Sequence, residues 1–183
     1  HLLMGFPGPE YENKDRYAAA LLVNILGMGM SSRLFIEVRE RRGLAYMIRA
    51  GLGSYRDCGL LQIQAGLDPK RIKEALEVII KELKKIASEE VDEKELKKAK
   101  SSLIGHVALA TEDSSNVADF YAKQFWFHKD MKTYEQFFKK LRAVTTKDIK
   151  RVAKDILKMK QMRLAIIGNL EKRNILNILK KQG

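Results

Sequence analysis

The sequence has almost no cysteine. Cys58 is alone among 183 residues, so no internal disulfide framework and no cysteine-based zinc cluster can form. It stands beside Gly59 at an expected strand start, where a small buried or half-exposed residue is a simpler reading than a nucleophile. Histidine is nearly as scarce, with only His1, His106 and His128. None falls in a His-x-x-Glu-His arrangement or its reverse. Hydrolytic metal sites need clustered His, Glu or Asp, so the sequence predicts no metal ligand and no catalytic residue within this chain. Ser31, Ser32, Ser101 and Ser102 lack a nucleophile-elbow context. Gly27-Met28-Gly29 lacks both the preceding strand and the following Lys-Ser/Thr of a phosphate-cradling loop. No apolar run approaches the length of a membrane span, and no secretory leader is visible. A soluble, cytoplasmic protein is expected. The first residue is His1 rather than Met, which leaves room for a removed upstream signal or domain.

Proline is limited to three residues and aromatics to 8%. What is abundant is charge, at 32%, and hydrophobic residues, at 45%. This suits a helix-rich protein with a solvated surface and one core, so residues 1–183 are expected to form a single domain. Lys and Arg outnumber Asp and Glu by 35 to 23, a net charge of +12. Such a charge permits binding to nucleic acid or anionic lipid. The cations are spread over helix faces among carboxylates, as at Lys81, Glu82, Lys84 and Lys85. No arginine-rich tract or aromatic-basic platform stands out, so a nucleic-acid partner is not expected.

Hydrophobic periodicity gives the element order. Residues 1–6 read as a strand before the Pro7-Gly8-Pro9 loop. Tyr17, Ala18, Leu21, Leu22, Ile25 and Leu26 recur at helical spacing and stop at Gly27 and Gly29. Ser31 and Ser32 are candidate N-caps for a second helix carrying Leu34, Phe35 and Val38, closed by Gly43. Tyr46–Leu52 and Leu60–Gly66 read as an antiparallel hairpin with one wet face. From Pro69 the chain turns helical. Ile72, Leu76, Ile79, Leu83 and Ile86 form one stripe, and Asp92 with Glu95 resembles a capping box. A further segment is expected from Asp113 and Ser114, with Val117, Phe120, Tyr121 and Phe125 and an aromatic cluster, Phe125-Trp126-Phe127, at its end; helices are expected from Thr133 to Leu141 and from Thr145. A strand at Arg163–Ile167 and a terminal helix at Arg173–Lys180 close the chain. This is an α+β pattern: a mostly antiparallel sheet with helices packed on one face.

The densest motif is Gly27-Met28-Gly29-Met30-Ser31-Ser32-Arg33-Leu34-Phe35, followed by Val38-Arg39-Glu40-Arg41-Arg42-Gly43-Leu44-Ala45-Tyr46. A fold-back at Gly43 could bring Arg39 and Tyr46 to one place. Arg offers five donors and Tyr one hydroxyl, so the pair could bind carbonyls or steady an oxyanion. The plainer reading is equally open. Arg39 would then be a helix-end cation and Tyr46 an ordinary strand aromatic.

This motif resembles the signature of the second domain in the pitrilysin, insulin-degrading enzyme and mitochondrial processing peptidase family. Asp57-x-Gly59 with its strand, Val91–Leu96, Val144–Ile149 and the closing Leu164–Gly168 also resemble that family, over residues 1 to about 169. The resemblance implies a chain that forms one half of a clamshell. The other half carries zinc, bound by an inverted motif, and this one carries no cofactor of its own. Arg39 and Tyr46 match an Arg and a Tyr, seven residues apart, that reach the substrate near the scissile bond. The chain would be inactive alone. With a zinc-bearing N-terminal half or a homologous catalytic subunit, as a homo- or heterodimer, it would serve a zinc metalloendopeptidase acting on unfolded peptides. The alternative is a catalytically dead scaffold subunit of the same family, like the core subunits of the respiratory cytochrome bc1 complex.

Overall fold

The computed structural model describes residues 1–127 and 130–168. The expected helix at Arg173–Lys180 and the side chain of His128 lie outside the described residues. Four strands make one antiparallel sheet: β1 (Leu2–Gly8), β2 (Ala45–Ser54), β3 (Gly59–Leu67) and β4 (Arg163–Ile166), in the spatial order β2-β3-β1-β4. β1 runs two residues further than expected, through Pro7. Its neighbour β4 reaches only as far as the Gly5↔Arg163 pair. Pro7 therefore lies beyond the end of β4, where its missing N–H interrupts only one ladder at most.

The sheet buries one face. Leu2, Met4 and Phe6 of β1 and Leu61, Ile63 and Ala65 of β3 are all within 2% of full burial. The alternation has a period of two, so the intervening residues fall on the other, wetter side. Helix α1 (Arg16–Gly27) covers the inner face and is buried almost all round. It crosses β2 so closely that a β-carbon added at Gly27 would overlap the backbone of Ala50. Helix α2 (Ile72–Ser88) lays Leu76, Ile79, Ile80, Leu83 and Ile86 into the core and packs on α6 (Thr146–Ile156), which contributes Ile149, Val152, Ala153 and Ile156. The helices thus lie on one side of the sheet, as the sequence pattern implies.

Helices α3 (Glu93–Ala110), α4 (Ser114–Phe127) and α5 (Tyr134–Ala143) complete the helical layer. Capping is local at α5, where Thr133 and Gln136 form a reciprocal box, and at α6, where Thr145 and Asp148 do. The expected box at Asp92 and Glu95 does not form. Asp92 accepts from the Lys94 amide, while the Glu95 carboxylate is taken by Arg33. Helix α4 starts at Ser114 and ends at the aromatic cluster, as expected, but buries little. Its one fully buried side chain is Gln124, whose amide bonds both the carbonyl and the N–H of Lys132. Phe125 and Trp126 are each 75% exposed. Cys58 is exposed in the β2–β3 turn rather than half-buried. Among the described residues no helix is long and apolar enough to cross a membrane.

Arg151 of α6 makes a two-pronged ion pair with Asp15 at the start of α1, at 2.7 Å for both contacts. The Arg151 guanidinium holds the Asp15 carboxyl below its ordinary value. The Thr145 hydroxyl and amide do the same for Asp148, and Arg42 does so for Glu37. A lowered folded-state pKa contributes stability that is fully present above the ordinary carboxylate range, near ~4. That contribution is lost as pH falls through the lowered values. The urea midpoint is therefore expected to drop between pH 6 and pH 3, and to drop less in Asp15→Asn. An equal drop in both proteins would remove Asp15 from this account.

Candidate functional site

The segment from the end of α1 to the start of β2 is built by two glycines and one long-range ion pair. Gly29 has φ +85° and Gly43 φ +58°, a left-handed backbone that favours glycine. The Ser32 hydroxyl donates back to the Gly29 carbonyl at 2.7 Å. It tightens the turn rather than accepting from the next helix, so neither Ser31 nor Ser32 caps as expected. Arg33 then anchors the segment. Its Nε and Nη2 reach both oxygens of Glu95 on α3, at 2.8 and 2.6 Å, with side chains only 18% and 31% exposed. A parallel two-bond pair of this kind, shielded from water, is among the stronger ion pairs. Arg33→Met is expected to cost about 1–2 kcal/mol, mostly from stranding the half-buried Glu95 carboxylate. Urea unfolding of the single and double variants would measure this, and zero coupling would contradict the anchoring role.

The expected second helix is a short, wide turn of π type, Phe35–Glu40. Arg41 N–H bonds the carbonyl of Ile36, five residues back, and Leu44 N–H bonds that of Val38, six back. Gly43 closes the turn with its own bond to Arg39. The arrangement is a glycine C-cap widened by one residue. Leu34 and Val38 remain fully buried, which is why helical spacing was legible although the helix type was not.

Arg39 is exposed at the end of this turn, with its guanidinium 4.8 Å from the centre of the Phe35 ring. Among the described residues it has no ion pair and no side-chain hydrogen bond. Tyr46 follows Gly43 into β2 at a bulge. Ala45 pairs with Leu67 and Met47 with Gly66, leaving Tyr46 as the extra residue. A bulge re-aims side chains, and Tyr46 turns outward onto the wet face at 64% exposure. Its ring lies over Gly66, and its hydroxyl stands 3.4 Å from Nδ1 of His1. Arg39 and Tyr46 thus reach the surface from adjoining pieces of chain, yet no hydrogen bond joins them. The Arg39 guanidinium and the Tyr46 hydroxyl are both at the surface.

Two features here escaped sequence reasoning. One is the bulge, which has no compositional signal. The other is Gly66: a β-carbon there would overlap the Tyr46 ring. The obstructing atoms are the far end of a movable side chain, so Gly66→Ala is expected to leave stability within about 1 kcal/mol while swinging Tyr46 off the sheet. Movement of the Tyr46 and His1 ring resonances in NMR spectra would report the change. Unmoved rings would contradict it.

The outward face of the sheet is also notable for its charge. Across the four strands, the side chains on this face include Arg49 and Arg163 and no carboxylate. Among the described residues no three His, Cys, Asp or Glu side chains stand close enough to hold a metal ion. These residues do not fit a zinc ion, and no step on zinc is assigned to this chain.

The fold and this arginine-bearing face define an α+β domain with no metal-ligand cluster among its described residues. Residues 1–103 match the family model for the peptidase M16 inactive domain, more than half of the chain, and the chain belongs to that family. An uncharacterized zinc protease of Streptomyces coelicolor is 32% identical over 171 residues, covering 93% of this chain and 37% of the relative. The chain therefore spans well under half the length of that relative. A protease from Helicobacter pylori shares the fold, with a TM-score of 0.81 at 24% identity over 89% of this chain and 40% of that one. A chain of complex III from Candida albicans also shares it, with a TM-score of 0.83 at 17% identity over 97% of this chain and 46% of that one.

Proposed function

We propose that this chain is the substrate-gripping, non-catalytic half of a zinc metalloendopeptidase that cleaves unfolded peptides, and that it works against a zinc-bearing half. The observation that carries this reading is the pair of donors at the surface. Among the described residues Arg39 has no ion pair, and Tyr46 is turned outward by a bulge over a glycine. A side chain serving only the fold would not need that construction. Arg39 holds the peptide or the charge that develops on it. Tyr46 donates a hydrogen bond to a peptide carbonyl or to the tetrahedral oxyanion. The zinc-bearing half supplies the general base and the metal-bound water. It is either an upstream domain of the same polypeptide or a separate subunit. The length of the Streptomyces zinc protease, well over twice this chain's matched segment, leaves room for such a half.

The scaffold reading draws support from the likeness to a complex III chain, which is a likeness of fold alone. Adding the zinc-bearing half separates the two readings. A gripping half produces peptide cleavage on association. A scaffold associates without any gain of cleavage.

A further inference from the structure

Helix α4 lies in the helical layer without closing on the core. Its inner rings, Phe120 and Phe127, are only half-buried. Together with residues of α1 and the end of β2 they line a cavity of about 560 Å³. Phe137 of α5 and Leu52 of β2 extend its apolar wall. A cavity of that size, mostly apolar with a few polar groups, is the usual form of a small-molecule site. Two cations line it, Arg16 and Lys123, and among the described residues no carboxylate does. Lys123 is met by Asp119. Arg16 is met by no acid among the described residues.

Arg16 is half-buried at the first position of α1. Its guanidinium donates to the Tyr11 carbonyl at 2.7 Å and to the Tyr17 hydroxyl at 3.2 Å. It also lies 4.4 and 4.9 Å from the centres of those two rings. Both acceptors are neutral. A guanidinium has five donors, and among the described residues no other acceptor meets this one. The position does not serve the fold either. A cation at a helix N-terminus opposes the macrodipole, and the first turn of α1 has no acidic residue to offset it. A half-buried charge held only by neutral groups is costly to keep, and an anion is the counterpart it suits. A second cavity, about 420 Å³, shares Arg16 and Tyr17 with the first and adds Lys14, Lys132 and Lys140. Asp15 and Asp148 also line it, where Arg151 engages both, and so does Glu12.

We propose that the larger cavity binds a small aromatic carboxylate, with its ring among Phe120, Phe127 and Phe137 and its carboxylate on the remaining donors of Arg16. Parallel bonds from a guanidinium to both carboxylate oxygens are strong and directional. Aromatic rings favour edge-to-face contact, as Phe120 and Phe137 already make at 6.2 Å. Binding fastens α4, whose one fully buried side chain is Gln124, to α1 and β2. Charge argues against a second copy of the chain as the occupant, because a protein of net charge +12 would bring like charge to Arg16. The inference does not rest on the peptide-gripping reading.

Calorimetric titration of this protein with phenylbutyrate, phenylbutyramide and butyrate tests it. Phenylbutyrate is expected to bind at least ~10-fold more tightly than the amide, which lacks the charge, and than butyrate, which lacks the ring. At saturation it is expected to raise Tm by roughly 2–5 °C. It should also shift the Arg16 Nε–H resonance and the rings of Phe120, Phe127 and Phe137 in NMR spectra. Arg16→Gln should abolish the preference for acid over amide. Ala20→Leu, on the α1 wall of the cavity, should block all three compounds and leave Tm unchanged or higher. The outcome therefore does not hang on whether the Arg16 variant folds. Equal binding of acid and amide, no binding of phenylbutyrate at millimolar concentration, binding undiminished by Ala20→Leu, or shifts confined to the lysines of the second cavity would each overturn the proposal.

Discussion

Tyr46→Phe is expected to lower kcat of the assembled, zinc-bearing enzyme on an unfolded peptide by about 10²-fold, the usual cost of deleting one donor to a developing oxyanion. KM and zinc content are expected to stay unchanged. The substitution removes one hydroxyl and keeps the ring that covers Gly66. That hydroxyl contacts only the His1 imidazole, so stability should not move. Arg39→Ala should also lower kcat without releasing zinc, because among the described residues Arg39 has no acidic partner and in the proposed assembly the metal belongs to the other half. Its one recorded contact is the Phe35 ring, and an exposed cation–π contact accounts for only ~0.5–1 kcal/mol. A large kinetic effect would therefore have to come through substrate. Unchanged kinetics in both variants would remove the gripping role and leave the scaffold reading.

The second large effect concerns the fold. Gly27→Ala is expected to destabilise the protein by about 3 kcal/mol, because the new methyl would sit inside the backbone of Ala50. For a chain of this size that corresponds to a fall in Tm of roughly 6–12 °C. Backbone cannot step aside as a side chain can, so α1 must lift off β2 or the strand must bend. The contrast with Gly66→Ala is informative. There the obstruction is the Tyr46 ring, which can rotate away, so the expected cost is functional rather than structural. Calorimetry on both variants would check the pair. Equal melting temperatures for Gly27→Ala and the parent would mean that the helix–strand approach is looser than described.

Much of this was legible in the sequence because it depends on local period. The hairpin with one wet face, the α2 stripe and the inward side of α6 follow from spacings of two or of three and four. Thr145 and Thr133 start helices because their partners, Asp148 and Gln136, stand three residues away. The errors came where a distant partner outbid a near one. Glu95 stands at the right distance from Asp92 for a capping box, but Arg33, 62 residues away in sequence, offers two bonds from a full charge. The wide turn at Phe35–Glu40 was read as an ordinary helix because Leu34 and Val38 satisfy either geometry. The aromatic cluster Phe125-Trp126-Phe127 was legible as the end of a segment, but not that Phe125 and Trp126 face outward, since sequence does not say what covers a side chain.

The candidate site was legible in part. Arg39 and Tyr46 stand out by resemblance, and both are exposed at the surface. Their close approach was an expectation from the Gly43 fold-back, and no hydrogen bond joins them. Tyr46 is turned onto the sheet beside His1, while Arg39 stays on the turn over Phe35. No sequence signal marks a bulge. The cavity at Arg16 was equally hidden, because how far α4 stands from α1 is not written in either helix.

The most direct test of the central claim is peptide cleavage by this chain alone and by its native assembly. The isolated chain, supplied with zinc, is expected to leave an unfolded peptide intact. The assembly captured from source cells with an antibody against this chain is expected to contain zinc and to cleave the peptide, with all cleavage lost to a chelator. Cleavage by the isolated chain, or a native assembly that holds no zinc and cleaves nothing, would contradict the account.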